Sequence, residues 1–241
     1  MKETTTTITR TVRTFDAEES AQYLNDHPAE VELPAGDYHR ITGNTVAVAT
    51  RDEWADSPID EDCWGYPRDT FFVSLWPDAL SSDDSEESRD VAAFAATVAW
   101  APHPTRAIVR YVERTYKPTA CHLVNVYSHS GVTISMIGDN LIGDPDIDAR
   151  VGRTGWDSAN AALVFSTHPD KAVAEQLCRG MVETYDAYLT GDVWRVTLHE
   201  LTVEQVSVDG GPFETLTTWE EYDSCGGLYG HDNMMAELES R

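Results

Sequence analysis

Residues 167–219 constrain the fold more than any other stretch, because the hydrophobic period changes from 3.6 to 2 inside it. Thr167-His168-Pro169-Asp170 has the form of a helix start, with Thr167 as N-cap and Asp170 three residues on, where a carboxylate favours the positive end of a helix. Val173, Leu177, Met181, Tyr185, Tyr188 and Leu189 follow at helical spacing, and Gly191 supplies a residue able to end the helix in left-handed geometry. Trp194, Val196 and Leu198 then alternate with Arg195, Thr197 and His199, which predicts a strand with one face buried. Asp209-Gly210-Gly211-Pro212 turns that strand into another over residues 213–219. A chain that places a long amphipathic helix directly before turn-linked strands belongs to the α+β class: a mostly antiparallel sheet with a few helices packed on one face.

The rest of the sequence agrees with that class. Residues 44–50 (NTVAVAT) and 70–76 (TFFVSLW) read as strands, with a turn at 34–37. Residues 122–127 and 132–136 read as a hairpin joined by Ser128-His129-Ser130-Gly131. Residues 159–166 (ANAALVFS) read as a buried strand, and residues 91–100 and 104–116 as helices, the second with Pro104 in its first turn and Pro118 as its stop. Residues 81–90 (SSDDSEESRD) carry too little apolar surface to order themselves and read as an acidic linker or loop. The expected organisation is an N-terminal acidic α+β region over 1–80, this linker over 81–90, and a C-terminal α+β domain over 91–241. Residues 138–155 form a Gly/Asp-rich loop, solvated and acidic.

Charge narrows the range of functions. Against 42 Asp and Glu stand 17 Lys and Arg, a formal net charge of −25. Affinity for a phosphate backbone comes largely from Lys and Arg that displace counterions, so direct nucleic-acid binding is not expected, nor is binding to an anionic membrane surface. No apolar run approaches the roughly 20 residues that span a bilayer, and residues 1–10 lack the apolar centre of a secretory leader. A cytoplasmic protein is the expectation. Only Lys2, Lys117 and Lys171 are lysines, and such a composition also suits a protein adapted to strong salt, where screening shortens to about 3 Å at 1 M. The four cysteines are far apart with no CxxC, so neither a disulfide scaffold nor a zinc ribbon is predicted. No Gly-rich phosphate loop is present, and neither cofactor nor metal is expected.

Four polar groups could carry chemistry. Cys225 with His129, oriented by Asp157 or Asp223, supplies the residue types of a nucleophile, a base and an orienting carboxylate. Ser130, Trp156, Ser158 and Ser224 flank these residues, and Glu183, Tyr185 and Asp186 form a further group on the long helix. The competing use of the same residues is structural: Asp and Ser beside Gly cap backbone N–H groups in turns, Cys is often simply buried, and aromatics at helical spacing are usually core.

The order HSGVTIS, WDS, ETYDAYLTGDV and DSCGGLYG over residues 122–232 resembles a family of uncharacterised proteins encoded by bacteriophages, archaeal viruses and plasmids. In that pattern a Trp occupies the position of Gly226, a Gly that of Arg195, and an Asp often that of Ser128. The resemblance implies a viral or plasmid setting and a fold, and no reaction. Together with the charge it leads to an accessory protein that binds a host or viral protein through an acidic surface, in its sharpest form a DNA mimic or defence inhibitor. The alternatives are a small hydrolase or transferase built on Cys225, His129 and Asp157 or Asp223, and a virion or assembly component.

Overall fold

The computed structural model describes residues 10–59, 68–75, 80–128, 131–147 and 158–241, with the backbone alone at Ser158. In chain order the described elements are β1 (Arg10–Thr14), α1 (Ala17–Asp26), β2 (Tyr38–Thr42), β3 (Thr45–Arg51), β4 (Thr70–Ser74), α2 (Glu86–Val98), α3 (Pro104–Thr115), β5 (Ala120–Ser128), β6 (Val132–Ile137), β7 (Ser158–Ser166), α4 (Lys171–Leu189), β8 (Val193–Val208), β9 (Glu214–Tyr229) and α5 (His231–Ser240). The α+β class and the antiparallel pairing are as expected, but the strands divide between two sheets. The chain correspondingly forms two compact units, residues 1–53 with 193–241, and residues 54–192. The second unit is thus an insertion between β3 and β8, whereas residues 81–90, where the sequence suggested a boundary, lie inside it.

In the first unit β8 is the central strand. It pairs with β9 along one side, and with β1 and β3 along the other, while β2 pairs with β3. The β8–β9 hairpin closes through Asp209 and Gly210, both with positive φ (51° and 74°), and Gly211 N donates to Val208 O at 3.0 Å. Two central residues in left-handed geometry match the right-handed twist of the paired strands, which is why Asp-Gly stands there. Helix α5 covers Ala47, Ala49, Trp194 and Val196 with Met234 and Leu238, and Leu24 of α1 clusters with Leu201 and Val203. Asp16 caps α1 in a reciprocal box: it accepts from Glu19 N at 2.9 Å, while the Glu19 carboxylate accepts from Asp16 N at 3.2 Å.

The second unit orders its strands β4-β7-β5-β6 and buries both faces of that sheet. Phe72, Val124, Val126 and Val164 pack against Ala174, Cys178, Met181, Val182 and Tyr185 of α4. Phe71, Leu123, Leu163 and Phe165 pack against Val91 of α2 and Ile108, Val109 and Val112 of α3. A strand between two helical layers has no solvent face, so β4, β5 and β7 read as nearly unbroken apolar runs.

Three local expectations change. Helix α4 starts later than its sequence suggests: Asp170 is the N-cap, accepting from Ala172 N at 2.8 Å and Val173 N at 3.1 Å. Thr167 directly follows β7, its N–H donating to Asp69 O at 2.8 Å, and Pro169 biases the residue before it away from helical angles. The buried stripe consequently runs through Ala174 and Cys178, and Val173 is exposed.

The acidic segment 81–90 is not a solvated linker. Its second half is the first turn of α2, where Ser85 Oγ accepts from Ser88 N at 3.0 Å and Glu86 and Glu87 sit at the positive end of the helix. Its first half contains Asp83, only 2% exposed. The acidic loop after β6 is likewise packed as far as residue 147. Leu141 and Ile147 are buried, Arg110 and Arg106 donate to the carbonyls of Asp144 (3.0 Å) and Pro145 (3.3 Å), and Glu113 accepts from Gly143 N at 2.7 Å. Among the described residues no helix is long and apolar enough to cross a membrane.

Candidate functional site

The DSCGG segment lies on β9, where two register shifts break the pairing with β8, between Trp194 and Val196 and between Leu198 and His199. In each, β9 carries one residue more than β8, so Tyr222 to Gly227 forms a doubly bulged stretch. Asp223 accepts from Arg241 at 2.9 Å and from Ser224 N at 2.9 Å. Cys225 pairs with Val196 and is half-buried, and Ser224 is exposed. The carboxylate that shapes the bulge comes from far away in sequence: Asp52 Oδ2 accepts from Gly227 N at 3.0 Å, and Arg195 lies 3.4 Å from its other oxygen. A Cβ at Gly226 would stand 2.6 Å from Asp52 Oδ2 and 3.4 Å from Arg195 Nε. Gly226 and Arg195 are therefore neighbours, and the space a side chain at 226 would need is taken by the Asp52–Arg195 pair.

The helix group has structural uses in the second unit. Tyr185 is buried, meets Phe72 edge-on at 5.2 Å between ring centres, and accepts from Ser81 N at 3.3 Å. Asp186 Oδ1 accepts from Ile134 N at 2.6 Å, tying α4 to β6. Glu183 is exposed. Asp186→Ala is expected to destabilise the second unit by about 1–2 kcal/mol, and Glu183→Ala to change it by less than about 0.5 kcal/mol. Urea unfolding of the two variants side by side checks the contrast.

His129, Ser130, Trp156 and Asp157 lie outside the described residues, as does the side chain of Ser158, whose backbone opens β7 opposite Tyr127. Cys225 and Asp223 belong to the first unit, and positions 129 and 157 to the sequence of the second. Cys121 and Cys178 are buried thiols. Burial raises the Cys121 thiol well above its ordinary value and, followed by the neighbouring Glu175 charge, pushes Cys178 up to about 12, so both are poor nucleophiles. Among the described residues no group of three or more His, Cys, Asp or Glu is arranged to hold a metal ion.

Several residues the sequence did not single out tie elements together within the second unit. His122, 1% exposed, meets Glu175 at 2.6 Å. Asn140 donates to Glu175 at 3.0 Å and to Thr119 O at 2.9 Å, and accepts from Cys121 N and Ile142 N. Asp90 accepts from the phenols of Tyr111 and Tyr116 at 2.6 and 2.5 Å, joining α2 to α3. Those hydroxyls lower the Asp90 carboxyl, while burial and then Asp90 raise Tyr116. Each partner is separated by 21 residues or more from the other side chain it meets, except where backbone turns close locally, so no spacing in the sequence announces it.

The first unit contains an open groove of about 540 Å³ between the segment after α1 and the face of β8–β9. The segment after α1 lines it with Glu30, Glu32, Leu33 and Pro34, and the strands with His199, Thr217 and Trp219. The Trp219 indole is fixed by donation from Nε1 to Glu32 O at 2.9 Å, and His199 meets Thr197 Oγ1 at 3.0 Å. Glu30 accepts from the Tyr23 phenol at 3.3 Å, and Tyr23 is raised by burial and then by that carboxylate. The groove can offer negative charge beside an aromatic ring. Comparison with protein-family models, with curated proteins and with solved structures gave no match to this chain.

Proposed function

We propose that this chain is an accessory protein of a virus or plasmid, acting in the host cytoplasm by binding a basic surface of a host or viral protein. The observation that carries the reading is β9: a 16-residue strand at the edge of its sheet, with Glu214, Glu220, Glu221 and Asp223 all exposed, in a chain of net charge −25. Carboxylates in such a row keep the edge from pairing with another strand, and they also present a charged surface that steers a basic partner into contact. The viral or plasmid setting rests on the resemblance of residues 122–232. The use of Asp186 and Tyr185 for backbone contacts favours a structural role over catalysis at those positions.

Titration with KCl tests this reading against salt adaptation. The expected protein is folded at 0.1 M KCl, and there it binds basic proteins with an affinity that falls steeply as salt rises and the Debye length shortens from about 10 Å. A chain that folds only near 1 M KCl would assign the charge to habitat and remove the basis for the proposal.

A further inference from the structure

We propose that the groove of Glu30, Glu32, His199 and Trp219 is a receptor for an arginine side chain on a basic segment of the partner protein. The inference rests on the acidic-surface reading above and adds to it a specific pocket and a specific cation. Three observations point to a guanidinium. The groove is concave, and its lining contains two carboxylates and neither Lys nor Arg. Among the described residues the Glu32 carboxylate has no hydrogen-bond or ion-pair partner, while Glu30 meets one hydroxyl, so acceptor capacity remains on the same side of the groove. The opposite wall carries an indole whose orientation is locked by its bond to Glu32 O, ready to receive a flat cation without losing rotamer freedom on binding.

Arginine fits these groups better than lysine. A guanidinium is planar and stacks on an indole while its N–H groups address carboxylates, whereas an ammonium is a compact, strongly hydrated point charge. The depression over α1 in the same unit makes a useful contrast. It is also lined by acids, among them Glu18, which meets no partner among the described residues, but there the chain's own Arg13 stands over the Phe15 ring at 5.1 Å and donates to Glu19 at 2.7 Å, while Asp16 and Glu19 serve the capping box and Asp26 accepts from Gln22 at 2.9 Å. Acidity alone therefore does not distinguish the receptor; a fixed ring and an unengaged carboxylate with no arginine of the chain already beside them do.

The test uses the full chain and a fluorescein-labelled peptide of eight alternating arginine and glycine residues, with its lysine counterpart, followed by anisotropy at 0.05 M KCl. The arginine peptide is expected to bind several-fold more tightly than the lysine one. Glu30→Gln with Glu32→Gln is expected to weaken it about tenfold, and Trp219→Leu by a similar factor. Asp84→Asn with Glu86→Gln makes the same change in net charge at exposed sites of the second unit and is expected to weaken it less than about twofold. Should Trp219→Leu fail to fold by circular dichroism, Trp219→Phe, which keeps a ring, and the Glu pair decide the question. Equal losses from the two double variants would overturn the groove and leave the acidic-surface reading standing. No binding of either peptide by the folded wild-type chain would overturn both.

Discussion

Replacing Asp83 with alanine is expected to cost the second unit about 3–5 kcal/mol, since two backbone N–H groups would be left buried without acceptors. Asp83 takes the N–H of Phe72 at 2.5 Å and that of Ser85 at 3.0 Å, accepts the Ser85 hydroxyl as well, and returns its own N–H to Phe72 O at 3.0 Å. One buried carboxylate thus both extends the pairing of β4, whose Phe72 is fully buried, and presets Ser85 to cap α2. Asp83→Asn keeps an acceptor oxygen and is expected to lose less, about 1–2 kcal/mol. Urea unfolding gives the energies, and amide exchange at Phe72 and Ser85 gives the location. A loss for Asp83→Ala below about 1 kcal/mol would show that these bonds are replaced by water at little cost.

The second large effect is expected at Asp52, outside every motif of the sequence. Its side chain is 4% exposed and holds the bulge through Gly227 N, so Asp52→Ala is expected to destabilise the first unit by about 2–3 kcal/mol. Asp223, the acid in the DSC motif, is exposed and paired with Arg241 at the surface, and Asp223→Ala is expected to change stability by no more than about 1 kcal/mol. The two positions can be linked by a cycle. Gly226→Ala puts a methyl group 2.6 Å from Asp52 Oδ2 and is expected to cost about 1–3 kcal/mol in the wild-type chain, but much less once Asp52 is alanine. Additive losses in the double variant would mean that Asp52 does not occupy the space Gly226 leaves.

These two residues also show what kind of information escaped the sequence. The segment around Asp83 has the composition of a disordered linker, and composition counts acids without recording that one of them has N–H groups to accept from and two others sit at a helix N-terminus. Asp52 lies 175 residues from the glycine it holds, a distance at which no spacing rule operates. Trp219 and Glu32 are 187 residues apart, so the groove could not be anticipated from either strand or loop alone. By contrast the β5–β6 hairpin, α3 with Pro104 at its start, and the end of α4 at Gly191 follow from local chemistry, and the structure places them within a residue or two of the expected positions. The start of α4 falls later than its sequence suggests because Thr167 and Asp170 are both competent caps, and only the tie from Thr167 to Asp69 O decides between them.

What the sequence by itself determined is the inventory of elements and the α+β class, because helix and strand periods, caps and Asp-Gly turns are short-range properties written within about ten residues. It determined the net charge of −25 as well. Only the tertiary structure decided that the strands form two sheets, that residues 54–192 are inserted between β3 and β8, and that the conspicuous Asp and Tyr residues of α4 and the bulged end of β9 are anchored to neighbouring backbone and side chains. The physical reason is that a carboxylate's role depends on which N–H groups or cations meet it in space, and those partners come from strands and loops brought together by burial of the core.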